Sequence, residues 1–299
     1  MIVLAGPRPP LAAILERLGV RGPVALVTAG WQEREDDPVD LGVPAAPLDL
    51  HARTEDVFAH DAELAAQYKL RQLRLKSMQD FYRVRLDHAA QAARTIALRI
   101  NNAELFAEEH AASLALIRHI DQDHLERCKQ VHATFDANSV EREALARHVR
   151  ELRDVIAPTA ALAIAGGHVA VLLNRLRLFD VVALAGKRPI IAWSAGAMAL
   201  TERVVLFHDD PPHGQAISEV LDAGLGLAPD LVVLPEPRLR LRLDDRERVG
   251  ELAQRYAPAP CVALDPGAQL WHQRGRVTRS IAARVLSPTG TVEPFPETA

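Results

Sequence analysis

The stretch Pro189-Ile-Ile-Ala-Trp-Ser-Ala-Gly-Ala-Met198 decides the fold, because an apolar run ends there in a serine held between small residues. The pattern predicts a buried strand, a sharp turn at Ser194 and a helix that begins directly after it. Such a turn holds its serine in a sparsely populated backbone conformation and requires small residues two positions away, here Ala192 and Gly196. We therefore predict a nucleophile elbow, in which the backbone N–H of Ala195 faces the charge that develops on a reacting oxygen.

A second turn of the same kind precedes the elbow in sequence. Ala161-Leu-Ala-Ile-Ala-Gly-Gly-His168 is a short apolar run that ends in a glycine pair, and a helical pattern follows it. Two strands that each end in a turn opening a helix are typical of an α/β sheet, with both turns at its carboxyl edge. Further strand patterns lie at residues 2–5, 24–28, 204–207, 231–234 and 261–264. The segment 268–278 predicts a terminal hairpin that turns at Arg274 and Gly275. We expect a mostly parallel sheet with helices on both faces.

A long segment between the second and third strand patterns has a different composition. Residues 54–156 lack glycine and proline and are rich in Ala, Leu, Arg, Glu and His. An apolar stripe at three-, four- and seven-residue spacing from Leu64 to Ile100 predicts one helix of about 40 residues, roughly 60 Å long. Asn101 and Asn138 are predicted to begin a second and a third helix as N-terminal caps. We therefore expect a helical hairpin or a three-helix bundle.

These patterns divide the chain into three parts. Residues 1–53 are the first part of the α/β core, 54–156 the helical insertion, and 157–299 the second part of the core with the elbow. The second strand runs into Thr28-Ala-Gly-Trp31, so we expect the insertion to rise beside the elbow at the carboxyl edge. It is interpreted as a lid, a specificity wall or an arm for homo-oligomer formation. The alternative is a helical elaboration without a catalytic role.

Composition narrows the classes of function. The chain has 299 residues, 48% hydrophobic and 25% charged, with a net charge of -4 at pH 7, as is typical of soluble globular proteins. That charge gives no basis for a nucleic acid partner, since phosphate binding requires a concentrated basic surface. No apolar run of about 18 residues predicts a membrane span, and the first residues resemble a strand rather than a signal peptide. The two cysteines lie in apolar segments, so we expect buried thiols and a cytoplasmic protein.

The histidines and an acidic cluster are expected to be structural. Eight of the twelve histidines lie between residues 51 and 148, but none forms an H-E-x-x-H pair, so we predict no metal site. We also predict no cofactor. The acidic cluster before the insertion is expected to be a solvated turn; it consists of Glu33, Glu35, Asp36 and Asp37.

Three motifs together resemble a known family. They are the glycine-pair turn Gly166-Gly167-His168, the elbow Trp193-Ser194-Ala195-Gly196-Ala197, and Leu225-Gly-Leu-Ala-Pro229 followed by Leu234-Pro-Glu-Pro-Arg238. They are similar to motifs of the S51 serine peptidases, which include dipeptidase E and cyanophycinase, within the class I glutamine amidotransferase-like fold. The late segment Leu264-Asp-Pro-Gly-Ala-Gln-Leu270 is similar to a stretch of the same family. The resemblance covers the two parts of the sheet and leaves out the helices.

The resemblance implies roles for individual residues. It makes Ser194 the nucleophile and the backbone N–H groups of Gly167 and Ala195 the oxyanion donors. Asp209, fifteen residues after the serine, falls where the family carries an acidic triad member. The family's histidine has no counterpart, because Glu236 stands at that position.

A substitute base is therefore needed if the serine is to react at neutral pH, since a serine hydroxyl is a weak nucleophile. His168 follows the glycine pair and is expected on the loop that faces Ser194; its alternative role is a helix cap or a solvent-exposed side chain. His208 and His213 flank Asp209 and are further candidates. Glu236 would act as a base only with a pKa raised by burial.

Two functions remain open. The first is a serine hydrolase of the S51 type that cleaves a small peptide or amide substrate, with Arg238, Arg240 and Glu236 as candidate substrate-binding residues. Ion pairing of these arginines with nearby acids is the alternative. The second function is a catalytically inactive homologue that serves in binding or assembly through its helical insertion. Glutamine amidotransfer is disfavoured, because that chemistry normally uses a cysteine at the elbow.

Overall fold

The computed structural model describes residues 1–98, 103–135, 142–209 and 217–296. The strands are β1 (Ile2–Ala5), β2 (Val24–Val27), β3 (Ala45–Pro47), β4 (Ala161–Ile164), β5 (Ile190–Trp193), β6 (Arg203–Leu206), β7 (Glu219–Ala223), β8 (Val232–Pro235), β9 (Cys261–Leu264), β10 (Gln269–Gln273), β11 (Arg276–Ile281), β12 (Arg284–Leu286) and β13 (Val292–Pro294). The helices are α1 (Leu11–Arg17), α2 (Leu50–His60), α3 (Ala62–Ala97), α4 (Ala103–Thr134), α5 (Glu143–Ile156), α6 (Val169–Leu178), α7 (Val181–Ala185), α8 (Ala195–Ala199) and α9 (Arg246–Tyr256). Short 3-10 helices span Ala29–Arg34 and Pro237–Leu239.

The main sheet confirms the predicted α/β class. Its strand order is β11-β10-β1-β5-β4-β2-β3, and the five strands β1, β5, β4, β2 and β3 run parallel to one another. Strands β10 and β11 close one edge as an antiparallel hairpin. Arg274 and Gly275 at its turn both have positive φ, at 52° and 79°, so the predicted hairpin turn is confirmed. The elbow strand β5 therefore lies near the middle of the sheet.

The later strands do not extend this sheet. Within the described residues, β8 and β9 join β12 and β13 in a four-stranded sheet, and β6 pairs with β7 in a ribbon. The sequence predicted β8 and β9 as strands but did not assign them to a separate sheet. Which strands pair depends on contacts between distant parts of the chain, which strand patterns alone do not specify.

Helices cover both faces of the main sheet, as predicted. Successive side chains of a strand point to opposite faces, so a strand buried on both sides is apolar throughout. On β5, Ile191 packs into one core with α1, while Ala192 packs into the other with α2, α5 and α6. The two cores hold the strand ends of the sheet in fixed positions.

The helical segment is arranged differently from a three-helix bundle. Helices α3 and α4 pack against each other as a long hairpin, whereas α5 packs on α2 and α7 beside the sheet. The α3 N-terminus is held by Asp61, which accepts from the backbone N–H of Leu64 at 2.8 Å and pairs with Arg142 at 2.9 Å. The predicted helix starts at Asn101 and Asn138 lie outside the described residues. Helix α2 begins at Leu50 and so crosses the predicted boundary at residue 53. The domain boundaries at 53 and 156 stay a prediction.

A buried polar cluster ties the hairpin to the core. Tyr82 of α3 donates to Asp121 of α4 at 2.7 Å, and Arg255 of α9 binds the same carboxylate through two contacts of 2.7 Å. The N–H of Val220 in β7 donates to the Tyr82 hydroxyl at 2.9 Å. Burial raises the pKa of Tyr82, so this phenol stays protonated. These contacts fix the hairpin against β7 and α9, and its position relative to the elbow stays a prediction. In the described part of the chain, no helix has the length and apolar character that a membrane span requires.

Candidate functional site

Ser194 occupies a strained turn directly after β5. Its φ of 52° and ψ of -125° are rare for any residue other than glycine. The turn is held by its backbone: the N–H of Ser194 donates to Ala5 at 3.0 Å, and its carbonyl accepts from Ala197 at 3.0 Å and Met198 at 3.2 Å. The serine is only partly buried, and its hydroxyl has no hydrogen bond to any residue that the structure describes. The side chain is thus presented at the carboxyl edge without an internal partner.

The loop after β4 lies so close to the elbow that there is no room for a side chain between the two backbones. A Cβ placed on Gly166 would lie 2.7 Å from the Cβ of Ser194 and 3.2 Å from the amide nitrogen of Ala195. Gly30, in the 3-10 helix that follows β2, accepts from the N–H of His168 at 2.7 Å through its carbonyl. The ends of β2, β4 and β5 therefore meet at Ser194, as their parallel order requires.

Two backbone donors at this junction have no acceptor among the described residues. The N–H of Ala195 lies in the first turn of α8, where a helix offers no internal acceptor. The N–H of Gly167, in the loop after β4, also makes no hydrogen bond to a described residue. Gly167 has a φ of 104°, which turns its peptide away from the strand ladder. Both N–H groups thus lack a described acceptor in the segments that surround Ser194.

His168 is placed near the elbow but serves as a helix cap. Its Nδ1 accepts from the backbone N–H of Val171 at 3.3 Å, at the start of α6, and its side chain is exposed. The sequence left two roles open for His168, a base that faces Ser194 or a helix cap, and in the described conformation its side chain caps α6. The ring nitrogen that accepts carries no proton in this arrangement.

Asp209 is brought together with arginines rather than with the elbow. Its buried carboxylate accepts from the backbone N–H of Arg242 and from the guanidinium of Arg248, both at 2.7 Å. It lines a cavity of about 290 Å³ between α9 and the α3–α4 hairpin. None of its hydrogen bonds among the described residues involves Ser194 or a histidine, so those residues do not assemble the expected triad. His208 is partly buried, and His213 lies outside the described residues.

Glu236 lies at the end of β8, within a group of charges that the sequence did not predict as a cluster. Its carboxylate is 3.8 Å from Arg8, which follows β1, the strand that pairs with β5. Arg238 lies 3.3 Å from the carboxylate of Asp265, which also binds Arg284. Both Arg8 and Arg238 remain mostly exposed. Their guanidinium groups are thus available to an anionic ligand.

Arg240, the remaining candidate substrate-binding residue, lies apart from Glu236 and Arg238. Arg240 stacks on the ring of Phe207 at 5.6 Å, on the same side as Asp209, and is separate from the Glu236 cluster. Arg8 and Asp265 were missed by sequence reasoning. The available signal was their position, since Asp265 directly follows the strand pattern 261–264 and Arg8 comes three residues after the pattern 2–5.

The acidic cluster before α2 is not a solvated turn throughout. Glu35 is buried, and its carboxylate accepts from the backbone N–H groups of His51 and Ala52 at 2.9 and 3.1 Å. Burial raises the pKa of the Glu35 carboxyl, and the two backbone donors oppose that shift. Glu35 therefore caps α2 and holds the loop after β2, which the sequence did not indicate.

The described residues show no metal cluster, since no group of three or more His, Cys, Asp or Glu side chains is arranged to hold an ion. A scan against models of protein families found no match, and a search of curated proteins found none. Among solved structures, the chain is similar to one described as the crystal structure of a peptidase from an acI-B1 Actinobacterium. The two share 12% sequence identity over 98% of this chain and 96% of that chain, with a TM-score of 0.42.

Proposed function

We propose that the protein is a serine hydrolase of the S51 type that cleaves a peptide or amide bond through Ser194. The observation that carries this proposal is the strained turn, which presents an unpartnered hydroxyl beside the free N–H groups of Gly167 and Ala195. A non-glycine residue in such a conformation costs on the order of 1–3 kcal/mol, and such strain clusters at functional sites. Glycine adopts such a conformation without this strain, so the turn alone does not require a serine side chain.

The chemistry follows from this arrangement. Ser194 Oγ attacks the carbonyl carbon of the scissile bond, and its proton passes to a base. The oxygen of the tetrahedral intermediate takes the negative charge and accepts from the two backbone donors. The amine leaves with a proton from the base, and water then releases the acyl group. Each backbone donor is expected to contribute about 10²- to 10³-fold in rate.

We assign the base to His168, because its backbone N–H donates to Gly30 and the nearby Gly166 approaches Ser194, so this histidine lies in the loop beside the elbow. Its ring has to leave the Val171 N–H before it can accept the Ser194 proton. The loss of one cap interaction is small, about 1 kcal/mol, so rotation of this exposed side chain is accessible. The resulting enzyme is expected to be slower than one with a fixed Ser–His–Asp triad.

The charges beside the elbow favour a substrate with a carboxylate. Arg8 and Arg238 are exposed, and each lies next to an acid at a distance above 3 Å rather than in a tight bidentate pair. An anionic substrate group can engage these guanidiniums while Glu236 and Asp265 keep them in place. A small peptide with an acidic residue fits this arrangement.

A fluorophosphonate probe tests the proposal directly. The native protein should be labelled, with the adduct on Ser194 by mass spectrometry, and Ser194→Ala should abolish the labelling. Ser287→Ala, which removes a partly buried serine in the turn between β12 and β13, is the matched control and should leave the labelling unchanged. No adduct on Ser194, with an authentic serine hydrolase labelled in parallel, would overturn the proposal.

One observation favours the second function, a catalytically inactive binding homologue. Glu236 pairs with Arg8 where the related peptidases would place a histidine, and no described base contacts the Ser194 hydroxyl. In that case acidic peptides should raise the melting temperature without being cleaved. Ser194→Ala should then leave this stabilisation intact.

A further inference from the structure

The outer face of α3 carries an apolar stripe that no other described element covers. Leu70, Leu73, Phe81 and Val84 are 66%, 51%, 70% and 56% exposed. Ser77, at the centre of the four, is also exposed. At about 100° per residue, these five positions fall within a sector of roughly 80° on the helix surface. We call them the outer stripe.

The opposite side of α3 holds the helix in place. Tyr82 is buried there, Arg71 donates to Asn174 of α6 at 2.7 Å, and Arg83 binds Glu219 of β7 at 2.7 Å. These contacts use the inner face and leave the outer stripe free. The stripe is therefore carried on a helix whose backbone is held in place, which lowers the entropic cost of binding.

The spacing of the stripe is symmetric about Ser77. Its residues follow one another at intervals of three, four, four and three, so the order is the same in both directions. A two-fold axis through Ser77 would place Leu70 of one chain against Val84 of the other, and Leu73 against Phe81. An interface between identical chains related by a two-fold axis must be self-complementary in this way. The small central side chain also allows the two helices to approach closely.

The charges along one edge of the stripe have the same symmetry. Lys69 and Lys76 precede the centre, Asp80 and Asp87 follow it, and each pair is separated by seven residues. In an antiparallel pair of helices, Lys76 comes opposite Asp80 of the second copy, and Lys69 opposite Asp87. The offset along the axis is about 3 Å, the rise of two residues. Neither lysine has an ion-pair partner among the described residues, and the only ion pair of Asp80, with Arg83, is long at 3.8 Å.

The parallel arrangement lacks this complementarity. It would bring the charged edge against the opposite edge of the second helix, where Arg74 lies. Lys76 would then face Arg74 at almost the same height, and like charges in contact disfavour association. Asp87 would face Arg85 at the same offset, but Arg85 already pairs with Asp123 at 2.8 Å. The charge pattern thus selects the antiparallel orientation.

We propose that the outer stripe of α3 forms an antiparallel, two-fold dimer interface with a second copy of this chain. The interface places Ser77 on the axis, with apolar pairs on either side and lysine–aspartate pairs along the edge. Four apolar side chains per chain make a contact at the small end of specific interfaces, below about 1,200 Å². Association in the micromolar range is therefore expected.

Cross-linking tests the position of the axis. In Ser77→Cys, two thiols meet on the axis, and an added oxidant should convert most of the protein to a disulfide-linked dimer. Ala115→Cys places a thiol at an exposed position of α4 and should give little cross-linking under the same conditions. Equal cross-linking of both variants, or none of Ser77→Cys, would overturn the proposal.

Sedimentation over a range of micromolar concentrations tests the energetics. The full chain should show a monomer–dimer equilibrium, and Phe81→Asp should raise the dissociation constant by more than about tenfold. Lys76→Asp should weaken the dimer, and Lys76→Asp combined with Asp80→Lys should restore it. All these side chains are exposed in the monomer, so circular dichroism and melting temperatures should match the parent. A chain that stays monomeric at high micromolar concentration, or a dimer insensitive to Phe81→Asp, contradicts the interface.

Discussion

At the scale of single residues, the site is shaped by how little space surrounds Ser194. The serine keeps a positive φ because its strand, its turn and α8 are each held by backbone hydrogen bonds to Ala5, Ala197 and Met198. Gly166 completes the turn, since any side chain there would overlap the serine itself. The strain is therefore maintained by neighbours rather than by Ser194 alone.

Gly166→Ala should disrupt this turn. The added Cβ would sit 2.7 Å from Ser194 Cβ, so the backbone must shift, at a cost of about 1–3 kcal/mol of stability. Fluorophosphonate labelling of Ser194 should be lost with it. Thermal unfolding and labelling rates give the measurement, with Gly22→Ala as control because its new Cβ meets only Ala160 at 3.5 Å. Equal behaviour of the two variants would show that the close approach is unimportant.

His168→Asn separates the two roles of that residue. Asparagine keeps a side-chain oxygen for the Val171 N–H, so stability should change by less than about 0.5 kcal/mol. Removal of the imidazole should lower the labelling rate of Ser194 by about 10²-fold or more if His168 is the base. Parallel variants His208→Asn and His213→Asn serve as comparisons. An unchanged rate in His168→Asn would assign the base to another residue.

At the scale of elements, the α3–α4 hairpin depends on one buried ionic cluster for its position. Asp121 receives the Tyr82 hydroxyl and both contacts from Arg255. Buried ion pairs add little to net stability, but loss of one partner leaves the other charge buried and unpaired. The cluster therefore fixes where the hairpin sits on β7 and α9.

Asp121→Asn should destabilise the protein by about 3–5 kcal/mol, because Arg255 is left without its counter-charge. Arg255→Met should have a similar cost. The double variant should be clearly less destabilised than the sum of the single changes, since the two residues share one interaction. Urea unfolding of the four proteins measures this coupling. Strict additivity would mean that the two side chains do not depend on each other.

At the scale of the whole molecule, apolar surface is buried on both sides of the main sheet and beneath the hairpin. Cys128 lies in α4 and Cys261 in β9, and both are free and buried. Burial raises the pKa of each thiol to about 12, so both stay protonated near neutral pH. The thiolate is the reactive form of cysteine.

A thiol reagent should therefore not react with the native protein at pH 7 to 8, and it should titrate two thiols per chain in denaturant. The rate of reaction in native buffer, measured by absorbance, then reports opening of the structure. Fast native labelling of either cysteine would show that its core is not closed. Urea at concentrations below the unfolding transition provides the comparison.

Local patterns in the sequence were enough to predict the elbow, the glycine-pair turn, the parallel class of the sheet, the terminal hairpin and one helix of nearly 40 residues. These features depend on neighbours along the chain: apolar runs for strands, a helical stripe for α3, and glycine where backbone approaches backbone. The roles of the site residues, the domain boundaries and the dimer stay predictions. The resemblance to S51 peptidases added expected roles, but spacing in sequence does not place side chains together.

Only the tertiary structure decided which distant groups meet. In the folded chain, Asp209 binds Arg242 and Arg248, and Glu35 caps α2. Glu236 pairs with Arg8, and strands β8 and β9 belong to a second sheet. Each of these depends on segments far apart in sequence that approach because both are apolar or oppositely charged. Secondary structure follows from local periodicity in the sequence. A buried carboxylate must bind a hydrogen-bond donor, and which donor lies within reach depends on the complete fold.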